Sequence, residues 1–154
     1  EDTHLIFTMP NADTDGRILF GMINKFVSEY GRKAKAFNSL GQLKYLSTLK
    51  LVDGVVGNSS SGIIEVPSFF KGTINIGDRQ QGRLKAKRII NCVPEQEPIS
   101  LAIKKMYSKA FQAMLKTTIN PYGEGGASKK VVDMLKKIQL NGVLKKKFYN
   151  LSQQ

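Results

Sequence analysis

The chain has 154 residues, 41% apolar and 23% charged, the make-up of one ordinary globular domain with a full-sized core. No apolar run approaches the ~18 residues that cross a bilayer and no signal peptide is visible, so no membrane partner is expected. Cys92 and His4 are the only residues of their kinds, which excludes an intrachain disulfide, a cysteine-rich zinc site and a histidine-based triad within the chain, and points to a reducing, cytoplasmic setting; no metal and no cofactor are expected.

Elements alternate along the chain. "HLIFTM" (4–9) is a short apolar run, hence a strand, ended by Pro10-Asn11. In "TDGRILFGMINKFVSEYG" the residues Ile18, Leu19, Met22, Ile23, Phe26 and Val27 recur at helical spacing, and Gly31 suits the stop. "AKAFNSL" (34–40) reads as a strand and "GQLKYLSTLKLV" (41–52) as an amphipathic helix with Leu43, Leu46, Leu49 and Tyr45 inward. "DGVVGN" (53–58) is a buried strand, "GIIEVPSFF" a helix, and "GTINIG" (72–77) and "RIINCV" (88–93) are strands. A helix follows at about 98–117, then a Gly-rich loop "NPYGEGG" (120–126) and a helix at about 128–139. This alternation predicts an α/β fold: a Rossmann-like parallel sheet with helices on both faces. No repeat or low-complexity linker divides it, so 1–154 reads as one domain.

The net charge of +12 raises nucleic-acid binding as a possibility. The lysines, however, fall in "KAKR", "IKKMYSKA", "SKKVVDMLKKI" and "LKKKF", mostly interleaved with apolar residues as on surface helices. No zinc finger, helix-turn-helix or aromatic RNA-binding motif accompanies them. The expectation is no nucleic-acid partner.

The chemistry-bearing stretch is "VVGNSSSGIIEVPSF" (55–69), a strand, a small-residue turn and a helix start, placed at the carboxyl end of the sheet where ligands of open α/β folds bind. Small residues let a phosphate approach backbone N–H groups, and Ser59 and Ser60 add hydroxyls. Glu65, one turn further, suits the paired hydroxyls of a ribose. The same residues also fit a structural role, a serine capping the helix and Glu65 offsetting its dipole, and the local pattern leaves both open. It is not a triphosphate P-loop, since no Gly-Lys-Ser/Thr follows, nor a dinucleotide fingerprint, nor a serine-hydrolase elbow.

The next strand leads into "GDRQQGR" (77–83), which would bring Arg79 near the same anion, with Arg83 beyond it. A guanidinium there pairs with a diphosphate or steadies a departing one. Serine hydroxyls, a ribose-seeking carboxylate and an arginine together suit a nucleoside diphosphate.

At these residues the chain resembles the UDP-N-acetylglucosamine 2-epimerases of the hydrolysing type. The resemblance rests on "GNSSSGIIEVPSF", "TINIGDRQQGR", the "MPN" after the first strand and "NPYGEGGASKKVVDMLKKIQL…LKKKF", and runs from about residue 5 to 149. The Thr-Glu-Arg-Pro-like segment of the non-hydrolysing relatives is absent. The resemblance implies the C-terminal half of a GT-B fold, a UDP-N-acetylglucosamine ligand and a product, N-acetylmannosamine, used in sialic-acid, nonulosonic-acid and capsule-polysaccharide synthesis. It implies that Ser59, Ser60 and Glu65 hold the diphosphate and ribose, that Asn11 and Arg79 complete the nucleotide site with Arg83 a flanking candidate, and that Leu40 faces the uracil through its backbone. It further implies a homo-oligomer, and catalytic carboxylates and a histidine in an N-terminal domain that these residues do not include; His4 does not match that histidine. The "YGEGGA" loop reads as a turn into a helix, with a ligand role for its glycines or Glu124 as the alternative. For the whole, the alternative is the nucleotide-sugar domain of a GT-B glycosyltransferase, and "RQQGR" favours the epimerase.

Overall fold

The computed structural model describes residues 3–10, 16–142 and 145, and Asn11 lies outside them. The chain divides into two compact units, Glu1–Pro121 and Tyr122–Gln154. In the first, the expected alternation is present: β1 (Leu5–Thr8), α1 (Gly16–Glu29), β2 (Ala34–Phe37), α2 (Gly41–Leu51), β3 (Gly54–Gly57), α3 (Ser61–Ile64), β4 (Gly72–Ile76), β5 (Ile89–Cys92), α4 (Gln96–Met106) and α5 (Lys109–Leu115). Among the described residues every strand pairing is parallel, in two ladders, β1 with β2 and β3-β4-β5.

β4 is the central strand of the larger ladder and is buried along its length except at its last residue. Its alternating side chains serve both faces, as a strand's period of two requires. Ile74 joins Ile90, Ala102, Met106, Phe111 and Leu115 in the main core under α4 and α5. Thr73 faces the other way and donates a 2.7 Å hydrogen bond from Oγ1 to the Gly62 carbonyl of α3. At the carboxyl end, buried Asn75 donates to Asn91 Oδ1 at 3.0 Å, its register partner on β5, and Lys85 Nζ donates to the same oxygen at 3.1 Å. That network satisfies a buried amide where the β4–β5 loop begins.

Four local expectations change. The helix foreseen at 98–117 is broken at Ser108, which adopts an extended conformation and caps α5, its Oγ accepting from Phe111 N at 3.3 Å. The break turns Phe111 and Leu115 into the core that Met106 already occupies. "GIIEVPSFF" is not one helix but the single turn α3 followed by a 3-10 turn, Val66–Phe69, with Pro67 at its start. Leu43 is 81% exposed, because the inner face of α2 centres on Tyr45 and Leu49 and Leu43 lies about 120° away from Leu49 around the helix. In α1 only Ile23 and Val27 of the six apolar positions are half-buried, and Phe26 stacks on Tyr30 at 4.6 Å and meets Phe7 edge-on at 5.9 Å.

The second unit holds α6 (Ala127–Lys137), whose N-cap Gly126 and the preceding Gly123 and Gly125 all have φ between +75° and +101°. The backbone of the turn therefore accounts for these glycines. All its described residues are exposed.

Candidate functional site at the carboxyl ends of β3 and β4

β3 ends at Gly57, whose φ of +153° is a conformation that side-chain-bearing residues rarely adopt. The chain leaves the sheet there into Asn58, Ser59 and Ser60 and then turns into α3. Gly62 lets α3 lie close against β4, since a Cβ at that position would sit 2.8 Å from Thr73 Cγ2. The loop is thus pinned from its far side to the central strand.

Within it, Ser59 Oγ accepts from Ser61 N at 3.4 Å, and N-cap Ser60 makes no side-chain cap bond. The structural reading of the serines as helix caps is therefore met weakly, through Ser59 alone. α3 has only four residues, so its dipole is small and anion attraction falls to individual N–H groups and hydroxyls. Among the described residues, the N–H groups of Ser59 and Ser60 find no acceptor.

Two residues that sequence reasoning did not place in the site hold it together. The Tyr45 hydroxyl of α2 hydrogen-bonds Ser61 Oγ. Burial pushes the Tyr45 phenol above its ordinary 10.0; the bond to Ser61 opposes this, and the negative charge of Glu65 adds to it. One phenol therefore senses both the serine loop and Glu65, which sits half-buried between α3 and the 3-10 turn. Gln80, 3% exposed, donates from Nε2 to the Asn58 carbonyl at 2.7 Å across 22 residues. This bond ties the loop after β4 to the loop after β3. Tyr45 carried a sequence signal, its place on the apolar face of α2; Gln80, in a polar loop, carried none.

Arg79 is exposed and adjoins Gln80, whose side chain bonds the serine loop. Arg83 is exposed further along the same loop. Leu40 is the half-buried N-cap residue of α2. A depression of about 570 Å³ lies one strand over, lined by Gly77, Asp78, Asn91, Cys92, Val93 and Pro94 at the ends of β4 and β5. Among the described residues its lining includes none of the predicted site residues. Burial pushes the Cys92 thiol there above its usual value. Among the described residues no group of three His, Cys, Asp or Glu could hold a metal, and no helix is long and apolar enough to cross a membrane.

Residues 1–136 match the family described as UDP-N-acetylglucosamine 2-epimerase. This chain belongs to that family. A relative from Campylobacter jejuni, GDP/UDP-N,N'-diacetylbacillosamine 2-epimerase (hydrolyzing), is 40% identical over 98% of this chain and 39% of its own. The polysialic acid biosynthesis protein P7 of Escherichia coli is 36% identical over 88% of this chain and 34% of its own. The crystal structure of Methanocaldococcus jannaschii UDP-GlcNAc 2-epimerase, in complex with UDP-GlcNAc and UDP, superposes with a TM-score of 0.67 at 19% identity, covering 88% of this chain and 36% of that one. The chain thus spans less than two-fifths of the length of each. The likeness bears out the fold class: α/β and Rossmann-like, one half of a GT-B architecture.

Proposed function

We propose that this chain is the UDP-sugar-binding half of a hydrolysing UDP-N-acetylglucosamine 2-epimerase, which converts UDP-N-acetylglucosamine and water to N-acetylmannosamine and UDP for sialic-acid synthesis. The observation that carries this reading is the Gln80–Asn58 bond, because it holds the Arg79 loop against the Ser59–Ser60 loop. In this reading the Arg79 guanidinium pairs with a diphosphate seated on the serines. Glu65, close enough to Tyr45 to perturb it, follows one helical turn after the serines and in this reading grips the ribose.

In this reading residues 1–154 act as one nucleotide-binding domain. Ser59 and Ser60 receive the diphosphate, Glu65 accepts from the ribose hydroxyls, Arg79 stabilises UDP as it departs, Arg83 flanks it, and Leu40 and Asn11 complete the uracil and nucleotide contacts. UDP leaves C1 as a proton leaves C2, giving a glycal-type intermediate; water then adds at C1 and a proton returns to the other face of C2. The groups that move those protons are assigned to sequence outside this chain. The protein is proposed to be cytoplasmic and homo-oligomeric, to need no cofactor, and to have no nucleic-acid or membrane partner.

A second reading keeps the chemistry and changes the sugar to UDP-N,N'-diacetylbacillosamine, as the name of the 40% identical relative suggests. Titrating UDP into the chain and following amide resonances tests the site: shifts centred on residues 58–65 support it, and none at high concentration overturn it. UDP release by the full-length protein from each of the two sugars decides between the substrates.

A further inference from the structure

We propose that Gln80 is a positioning residue that aims the Ser59 N–H at a phosphoryl oxygen of the ligand. The inference rests on the reading of this loop as a diphosphate site and goes beyond it. Its starting point is the shortness of α3: with so small a dipole, donors must be oriented one peptide at a time.

The Asn58 carbonyl and the Ser59 N–H belong to the same trans peptide unit, and in a planar trans peptide they point in opposite directions. Gln80 holds that carbonyl from the buried side at 2.7 Å. The Ser59 N–H therefore points away from Gln80, on an exposed residue, and has no acceptor among the described residues. Without the clamp the peptide is free to rotate, and the donor loses its direction.

Gln80 Oε1 is buried and has no hydrogen-bond partner. The amide cannot reverse to relieve this, because an oxygen in place of Nε2 would face the Asn58 carbonyl with no proton between them. An orphaned buried acceptor is a cost that a purely structural contact would not need, since an apolar side chain of similar size fills the space without one. The orphan is tolerated because Nε2 must face the carbonyl.

The test uses the 154-residue chain, Gln80→Met and Gln80→Glu, with uridine, UDP and pyrophosphate as probes and the Ser59 amide proton as the reporter. Methionine keeps the volume and removes both the donor and the orphan; glutamate keeps the shape and removes the donor once ionised, and it serves above the pH at which its buried carboxyl ionises if the methionine variant does not fold. Wild type is expected to show a downfield shift of the Ser59 amide proton with UDP and with pyrophosphate. Either variant should lose that shift and bind both about tenfold more weakly, equivalent to about 1.4 kcal/mol, while shifts caused by uridine alone stay as in wild type. A role confined to folding would change thermal stability and leave the Ser59 response intact, and that result overturns the inference while leaving the site reading in place. Absence of any UDP response in wild type overturns both.

Discussion

Thr73 and Gly62 are in contact twice over: Thr73 Oγ1 donates to the Gly62 carbonyl at 2.7 Å, and Thr73 Cγ2 lies 2.8 Å from where a Cβ on Gly62 would be. One threonine thus sets both the height and the direction of the turn that follows the serine loop. Gly62→Ala should destabilise the chain by roughly 1–3 kcal/mol through overpacking, only partly offset by alanine's better helix propensity. Thr73→Ser removes the methyl and keeps the hydroxyl, so the double variant should recover most of the loss. Thermal denaturation of the four proteins measures that coupling; strict additivity would show that the contact is not the cause.

Tyr45→Phe removes the hydroxyl that bonds Ser61 and should cost about 0.5–1.5 kcal/mol. It should also change the alkaline limb of stability. The folded phenol titrates above its ordinary 10.0, so above about pH 10 the unfolded chain loses its proton first and is favoured. Stability from this group is complete below pH 10 and is lost as pH rises through the raised value. Tyr107, raised by burial and by Asp53, acts with the same sign. Urea denaturation between pH 8 and 11 should therefore show a fall that is shallower in Tyr45→Phe but not abolished.

Glu65→Ala should remove a charge-assisted pair of hydrogen bonds to the ribose, worth roughly 1.5–3 kcal/mol. Half a cleft should bind UDP with a dissociation constant on the order of a millimolar, about 4 kcal/mol, so the variant's binding falls towards the limit of detection. It should also discriminate poorly between UDP and pyrophosphate. Unchanged UDP shifts would confine Glu65 to the structural role.

Arg79→Ala should weaken UDP and pyrophosphate alike, because the expected partner is the diphosphate. Arg79 is exposed, so melting should stay within about 0.5 kcal/mol of wild type. A loss for UDP alone would move Arg79 to the base or ribose.

The chain by itself should release no UDP from UDP-N-acetylglucosamine above background, since the elimination needs groups on both sides of the sugar. Turnover measured by a coupled UDP assay would place the acid and base within these residues, with Asp13, Asp15 and Glu124 the first to be substituted.

Periodicity and turn chemistry, both local, were enough to order the elements and to find the loop. Alternating short apolar runs and 3.6-residue patterns located each strand of the β3-β4-β5 ladder to within about two residues, and the Gly-Asn-Ser-Ser run marked the turn that follows β3. What the sequence could not carry was the partner of each face. Leu43 has the spacing of an inward residue, yet it is exposed while Leu49 is buried and Tyr45 and Leu46 are half-buried; Ser108 is a helix-compatible residue until Phe111 and Leu115 must turn into the cluster around Met106. Gln80 sits in a run of polar loop residues with nothing to distinguish it, because its role depends on one carbonyl 22 positions away. A hydrogen bond across that separation exists only once β3 and β4 lie side by side, so only the tertiary structure could join the two loops.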